Sequence, residues 1–382
     1  MRILYTVDNV WHDHNAYVRV LMRQISDIRP DIILDYGIRK FWSEEAFQFD
    51  IIHIMWPHFL LLLGSRTECH SIDELEERLL QLKAKGVIIV STCHNIVPHY
   101  NKNQDAIQSY NTVYKHSRMI FHLGKYSLNM FEKEYAESKN VLLEHPVYDI
   151  EYPQIPARNE SLFKLGLSHK YTYLLCFGAF RDKEERQLII GASKKFKDKS
   201  IRILAPTFFK IKRRRNVLKM IPDVIIFFYY KLHCRNILFS GKNVPNSLLP
   251  YYFSVCDIAV IQRKKILNSG NLPLSFYFGN VVVGPNTGNI ATILKESSNP
   301  VFDPENPQTL AQAVSEATTL LKTDLQKRNR QIALSRWNSK TIAKKQLAYY
   351  DKIKSEIEET DHTAIKVAFE KFDYIANTSL KG

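Results

Sequence analysis

Short apolar runs typical of buried β-strands alternate with helical stretches along this chain, and the series occurs twice. The first series begins with the strand-like run Arg2–Val7 and includes the largely β-branched run 87–92. A segment containing Pro153 and Pro156 interrupts the pattern, which starts again with a strand at 173–178. Strands and helices that alternate at this spacing predict βαβ units and a parallel sheet. The sequence therefore predicts an α/β protein with two similar halves.

The length and composition agree with two soluble globular units. A chain of 382 residues is too long for one ordinary core, and 45% of its residues are hydrophobic and 24% charged. The five cysteines are isolated from one another, which favours a reducing, cytoplasmic setting. The start of the chain lacks the pattern of a signal peptide, and no window approaches the length of apolar sequence that spans a bilayer. We therefore expect neither export nor a membrane span.

The net charge of +14 favours binding to polyanions. Nucleic-acid binding would rest on this charge alone, because no recognition module accompanies it. The densest basic run directly precedes an apolar and aromatic run at 224–230, a combination typical of a surface that binds anionic membranes. The alternative is a solvated loop beside a core strand. The predicted membrane patch consists of Lys210, Lys212, Arg213, Arg214 and Arg215.

Ligands of open parallel sheets bind at the carboxyl ends of the strands, so the loops after the strands carry the candidate residues. In the first half these loops supply histidines, an acid and an amide: His12, Asp13, His14, His94, Asn95 and His99. In the second half they supply cations and small polar residues: Arg181, Lys183, Arg263, Asn268, Ser269, Gly270 and Asn271.

This division of residue types predicts two tasks. Phosphate groups require positive charge and N–H donors, whereas proton transfer near pH 7 is performed most readily by His, Asp or Glu. The stretch 267–285 indicates a turn, a helix and a buried strand, and the helix start at Gly270 could receive a phosphate. We therefore expect a phosphorylated donor in the second half and an acceptor in the first. A metal site at His12 and His14 lacks a third ligand, and none is expected.

The residues resemble those of the GT-B glycosyltransferases, in particular the bacterial group 1, family 4-like enzymes of polysaccharide biosynthesis. Phe177–Ile189 is similar to the strand, loop and helix that hold the donor diphosphate in that family, and 243–260 is similar to the segment beside the nucleotide base. The stretch 267–285 matches the donor-site turn, helix and strand, and Cys93–His99 looks like an acceptor-side motif. Trp337 and the helix after it resemble the family's terminal helix, which crosses back onto the first domain.

The resemblance implies a GT-B fold with two Rossmann-like domains facing across a cleft. We expect an acceptor domain at 1–155, a donor domain at 165–335, a crossover helix at 336–355 and an unplaced tail at 356–382. It also implies that the chain transfers a sugar from a UDP- or GDP-linked donor to a glycan or polyprenyl-linked acceptor without a metal cofactor. The implied donor-binding residues are Arg181, Lys183, Arg263, Ser269, Gly270, Asn271 and Leu272. The implied catalytic residues are His94, Asp13 and His12, and the acceptor-side residues are His14, Asn95 and His99.

One departure from the family leaves a second hypothesis open. Many retaining members carry two glutamates, eight positions apart, where this chain has Ile266 and Leu274. Neither side chain accepts a hydrogen bond from a sugar hydroxyl. The alternative is therefore a non-catalytic protein of the same fold that binds a nucleotide-sugar or a glycan.

Overall fold

The computed structural model describes residues 1–8, 16–63, 68–98, 103–211, 217–241, 244–357 and 359. The predicted α/β class is confirmed, because two six-stranded parallel sheets dominate the described residues. The strands of the first half are β1 (Arg2–Tyr5), β2 (Ile33–Tyr36), β3 (Ile51–Ile54), β4 (Leu62–Leu63), β5 (Glu68–Cys69), β6 (Ile88–Cys93), β7 (Met119–His122) and β8 (Lys139–Leu142).

The first sheet has the strand order β2-β1-β3-β6-β7-β8, and β4 and β5 form a separate antiparallel pair. Strands β3 and β6 are buried along their whole length, as expected for a sheet covered on both faces. The helices of this half are α1 (Ala16–Ile28), α2 (Ile38–Trp42), α3 (Ile72–Ala84), α4 (Gln104–His116) and α5 (Lys125–Glu134), with 3₁₀ turns at Glu44–Gln48 and Pro57–Leu61. The spacing of Ser71 and Glu74 predicts a capping box, and the two residues form this reciprocal pair at the start of α3.

The second sheet has the order β11-β10-β9-β12-β13-β14, the arrangement of a Rossmann fold. Its strands are β9 (Thr172–Leu175), β10 (Ile201–Leu204), β11 (Ile237–Leu238), β12 (Ile258–Val260), β13 (Val281–Pro285) and β14 (Val301–Phe302). The helices are α6 (Arg158–Leu165), which precedes the sheet, α7 (Lys183–Ser193), α8 (Ile221–His233), α9 (Leu249–Val255), α10 (Asn271–Tyr277), α11 (Gly288–Glu296), α12 (Pro307–Leu320) and α13 (Leu325–Arg336), with 3₁₀ turns at Val217–Met220 and Asn246–Leu248.

A final helix, α14 (339–357), packs onto the first sheet. Asn338 caps this helix, because its Oδ1 accepts hydrogen bonds from the N–H groups of Lys340 and Thr341. Tyr350 of α14 is fully buried, and its hydroxyl contacts Nδ1 of His53 on β3 at 2.5 Å. Helix α14 is therefore part of the core of the first half.

The apolar run after the basic segment forms helix α8, so its interpretation as a core strand beside a loop is wrong. The helix rests on the second half through Phe227 and Tyr230, which pack against the core cluster of that half. Lys231 adds a hydrogen bond from its Nζ to the carbonyl of Phe239. No residue of α8 is fully buried.

Candidate functional site

The order of the second sheet reverses between β9 and β12, and the loops after these two strands meet there. Gly178 lies in the turn after β9 with a φ of +91°, a conformation that favours glycine. A Cβ at Gly178 would lie 3.6 Å from Nη2 of Arg263 and 3.7 Å from Nδ2 of Asn271. The chain therefore brings a cation and an amide from the second loop to the backbone of the first, at the position where doubly wound folds bind ligands.

Glu185 links the two loops from the first turn of α7. Its buried carboxylate contacts Nη1 of Arg263 at 2.5 Å and accepts the backbone N–H of Arg181 at 2.8 Å. Because a buried charge requires a partner, this ion pair holds Arg263 in one orientation. Arg263 thus comes to the predicted site already paired with a carboxylate.

Lys264 is also paired, whereas Lys183 has no ion-pair partner among the described residues. Nζ of Lys264 lies 2.9 Å from Glu184 and 2.8 Å from Glu305, and these carboxylates raise its pKa. Lys183 is the first residue of α7, directly after the cap Asp182, and its side chain is exposed. Within the described part of the chain it forms no ion pair. Lys183 is therefore a cation available to an anionic ligand.

Several polar groups of the predicted phosphate loop at 269–272 already form hydrogen bonds within the protein, which the sequence does not indicate. The N–H of Asn271 contacts Oγ of Ser269 at 3.3 Å, and the N–H of Leu272 donates to the Ser269 carbonyl. Nδ2 of Asn271 donates to the carbonyl of Phe177, which fixes the turn after β9. Leu272 is buried in the core. Asn271 thus positions the turn after β9, and diphosphate binding by these four residues stays a prediction.

The first half contributes His94, directly after β6. Its ring stacks on Trp56, with centroids 4.7 Å apart, and meets the edge of Tyr17 at 4.6 Å. Burial holds the pKa of His94 well below that of an ordinary histidine, so the ring is neutral near pH 7. Its Nε2 is buried without a hydrogen bond to any other described residue. Such an atom suits a hydrogen bond with a ligand hydroxyl better than it suits proton abstraction.

A second histidine of the first half lies beside the predicted phosphate loop. His145 meets the edge of Tyr17 at 5.0 Å, and its Nδ1–H donates a hydrogen bond to the Pro146 carbonyl at 2.7 Å. A Cβ at Gly270 would lie 2.9 Å from the hydroxyl of Tyr148 and 3.5 Å from Nε2 of His145. A side chain at position 270 would therefore require the Tyr148 side chain to shift.

Direct hydrogen bonds also join the two halves. Nδ2 of Asn268 donates to the carbonyls of Cys93 and His94, at 3.2 and 3.0 Å. Asn289 on α11 contacts both Asn268 and Ser127 on the first half. These contacts place the loop of His94 and the turn before α10 side by side.

An open cavity of about 720 Å³ lies between the halves. Of the predicted residues, it includes Arg181 from the donor set and Asn95 from the acceptor set. Ile96–Pro98 and Tyr126 line it from the first half, and Lys264–Leu267 and Gly288 line it from the second. The cavity therefore has the size and the mixed lining of a ligand site.

Several predicted residues lie outside the described ranges: His12, Asp13, His14, His99, Lys212, Arg213, Arg214 and Arg215. Within the described ranges, no three His, Cys, Asp or Glu residues group as metal ligands do. No described helix has both the length and the apolar composition required to cross a bilayer.

The sequence reasoning missed Glu185 and the role of Asn268. Glu185 stands three residues after Asp182, the spacing of a capping box, and this could have placed it at a helix start. Its pairing with Arg263 cannot be predicted from neighbouring residues, because the two are 78 positions apart in the sequence. Ile266 and Leu274, at the positions of the two family glutamates, both pack in an apolar cluster, so they supply no polar side chain there.

Comparisons with known proteins give a likeness in structure but not in sequence. No protein-family model matches the chain. No curated protein matches it by sequence.

Solved structures of sugar-handling proteins match nearly the whole fold. Sucrose-phosphate synthase from Thermosynechococcus elongatus is 12% identical, with a TM-score of 0.71 over 93% of this chain and 99% of that one. A glycosyltransferase from Rickettsia africae is 16% identical, with a TM-score of 0.63 over 92% and 98%. HepE from Anabaena, solved with UDP-glucose, is 12% identical, with a TM-score of 0.63 over 92% and 100%. The predicted GT-B fold, with its two facing Rossmann-like domains, is therefore confirmed.

Proposed function

We propose that this protein is a glycosyltransferase that takes a sugar from a nucleotide-diphosphate donor. The observation that carries the proposal is the meeting of the cationic loops at the switch point of the second sheet with the loop of His94. The likeness to HepE, which was solved with UDP and with UDP-glucose, supports a nucleotide sugar as the donor. The fold supplies the cleft, and the side chains in it suit the chemistry of the two substrates.

Cleavage of the donor's glycosidic bond leaves negative charge on the diphosphate. Lys183 and Arg181 would stabilise that charge, and Arg263 would hold the turn after β9 in place beside it. The backbone of Gly178 allows the phosphates to approach closely, since no side chain stands there. Because these cations neutralise the leaving group, we expect transfer to continue after treatment with EDTA.

His94 would face the sugar or the attacking hydroxyl. A neutral imidazole both donates and accepts hydrogen bonds, and its unused Nε2 would orient a hydroxyl without a change in charge. Asp13 and His12 remain the candidate bases if the reaction inverts the anomeric centre. His14, Asn95 and His99 remain the candidate acceptor contacts.

The acceptor that fits best is a glycan or polyprenyl-linked glycan of a bacterial surface polysaccharide, at the cytoplasmic face of the membrane. The support is the resemblance to polysaccharide enzymes and the basic segment Lys210–Arg215, which would attract anionic lipid. Four of the five cysteines, Cys93, Cys176, Cys234 and Cys256, are free and buried, which agrees with a reducing compartment.

A second candidate function, nucleotide-sugar or glycan binding without catalysis, is favoured by Ile266 and Leu274. Calorimetric titration with UDP, GDP and their sugar conjugates, combined with an assay of nucleotide release, separates the two. We expect micromolar binding of one nucleotide and slow hydrolysis of its sugar conjugate. Tight binding with no hydrolysis and no transfer to any acceptor would support the binding protein and contradict the transferase.

A further inference from the structure

Helix α8 and the 3₁₀ turn before it present a continuous apolar stripe to solvent. The exposed side chains recur at intervals of three and four residues, which places them on one face over about four turns. Between 48 and 71% of the surface of each residue is exposed. The stripe consists of Leu218, Ile221, Ile225, Phe228, Tyr229 and Leu232.

The opposite face of the same helix is anchored. Phe227 packs closely enough on the backbone of Gly241 that a Cβ there would lie 2.7 Å from the ring. Lys231 lies over the rings of Phe227 and Phe239, with Nζ 5.6 and 4.3 Å from their centroids. The helix is therefore held by one face while the stripe points away from the domain.

Single exposed apolar residues are ordinary, but a contiguous stripe of six marks a surface that another phase or molecule covers. The charge of the sequence that contains the stripe indicates what covers it. Positions 210–235 contain eight Lys or Arg residues and one acidic residue, Asp223. This stretch of 26 residues thus carries +7 of the net +14 of the whole chain. An apolar stripe in so basic a stretch of sequence fits a surface of anionic headgroups above an acyl layer.

We propose that α8 is a membrane-surface anchor of the second domain, with the stripe inserted among the headgroups and upper acyl chains of an anionic bilayer. The inference adds an inserted element to the membrane location given under the proposed function, and it can fail independently. Nucleotide release in solution tests the transferase, whereas the experiments below follow binding to vesicles.

The first experiment uses the full chain and vesicles of phosphatidylcholine with or without about 30% phosphatidylglycerol. We expect sedimentation with the anionic vesicles only. The double variant Ile225→Ser/Phe228→Ser should lower the partition coefficient at least tenfold. Phe163→Ser, a change at a residue that is 90% exposed elsewhere on the domain, should leave it unchanged. Thermal melting should be the same for all three proteins, because these side chains are on the surface.

The second experiment distinguishes insertion from adsorption by charge. Ile225→Cys, labelled with an environment-sensitive dye, should show a blue-shifted emission with anionic vesicles. An unshifted emission from protein that is bound to the vesicles would contradict the proposal that the stripe inserts. Equal binding of the double serine variant and the wild type would do the same. A dimer in analytical ultracentrifugation that the serine changes dissociate, without vesicle binding, would assign the stripe to a second copy of the chain and also overturn the proposal.

Discussion

Glu185 and Arg263 form an ion pair at 2.5 Å that joins the loops after β9 and β12. The carboxylate is 3% exposed and the guanidinium 14%, so neither charge is well solvated. Removal of one partner from such a pair leaves a charge without compensation, which usually costs more than the pair itself contributes. The organisation of the candidate donor site therefore depends on a residue that need not touch the donor.

Replacement of Glu185 should reveal this dependence. We expect Glu185→Gln to reduce the free energy of unfolding by about 1–3 kcal/mol, since Arg263 loses its charged partner. It should also raise the KM for the donor more than it lowers kcat. Urea unfolding and nucleotide-release kinetics measure the two effects. Glu184→Gln is the matched control, because the Glu184 side chain is 68% exposed and should contribute little to stability.

Replacement of Lys183 tests the proposed binding of the donor diphosphate. Its cation has no partner within the described structure, so Lys183→Ala removes no internal ion pair and should not change the melting temperature. Donor hydrolysis and transfer should fall by about 10²- to 10³-fold, because a charge directed at the leaving group acts mainly in the transition state. Lys195→Ala, an exposed lysine just beyond the other end of α7, is the control. Full turnover in Lys183→Ala would remove the support for this phosphate site.

The depressed pKa of His94 predicts the pH dependence of its contribution. A group whose pKa lies well below 6.5 is already neutral at pH 6 and stays neutral as the pH rises. We therefore expect no inflection from His94 between pH 6 and 8 in a pH–rate profile. His94→Phe should keep the stacking on Trp56 and reduce turnover by roughly 10- to 100-fold through loss of a hydrogen bond. An inflection near pH 6.5 that disappears in His94→Phe would instead identify the residue as a general base.

Buried histidines should make the fold sensitive to acid. Burial lowers the pKa of His53 to about 3 and that of His122 to about 4, and both side chains are fully buried. Between these pKa values and 6.5 the unfolded chain binds more protons than the folded protein does. The contribution of the two histidines to the free energy of unfolding is therefore complete above pH 6.5 and is lost as the pH falls toward their folded pKa values. For His122 the loss amounts to about 3 kcal/mol below its folded pKa.

Urea unfolding at several pH values between 7.5 and 4.5 measures this dependence. His122→Gln should make the plot of unfolding free energy against pH less steep in that window by up to one proton. His169→Gln, at an exposed position, is the control and should leave the slope unchanged. A slope that is equal in the wild type and His122→Gln would contradict the assignment.

The sequence alone predicts the features that depend on neighbouring residues. The capping box at Ser71 and the strand at 281–283 are examples, since short-range spacing and β-branched composition determine them. The end of the chain shows the limit. A continuous helical pattern from 325 to 353 predicts one helix, but the chain breaks at Trp337, whose carbonyl accepts the N–H of Val147. That partner is 190 positions away, so its effect is not visible locally.

The helical structure of α8 and the burial of Glu185 could not be predicted from the sequence, for different reasons. The run 221–233 is apolar on nearly every face, so its periodicity does not distinguish a strand from a helix, and only tertiary packing shows which side is exposed. Glu185 lies among charged neighbours, a pattern that predicts a solvated helix face, yet it is buried and paired with Arg263 from the loop after β12.

Leu267 stands at the tip of the turn before α10 and is buried in an apolar cluster of the first half that includes Cys93, Tyr110 and Phe131. Separation of the two halves at this point would expose the Leu267 side chain to water, at a cost of about 1.5–3 kcal/mol. The hydrogen bonds of Asn268 would add little to this cost, because water replaces them. The turn therefore acts as a weak latch between the domains. In the proposed transferase, a latch of this strength would favour the closed cleft during the reaction and would still permit release of the nucleotide afterwards.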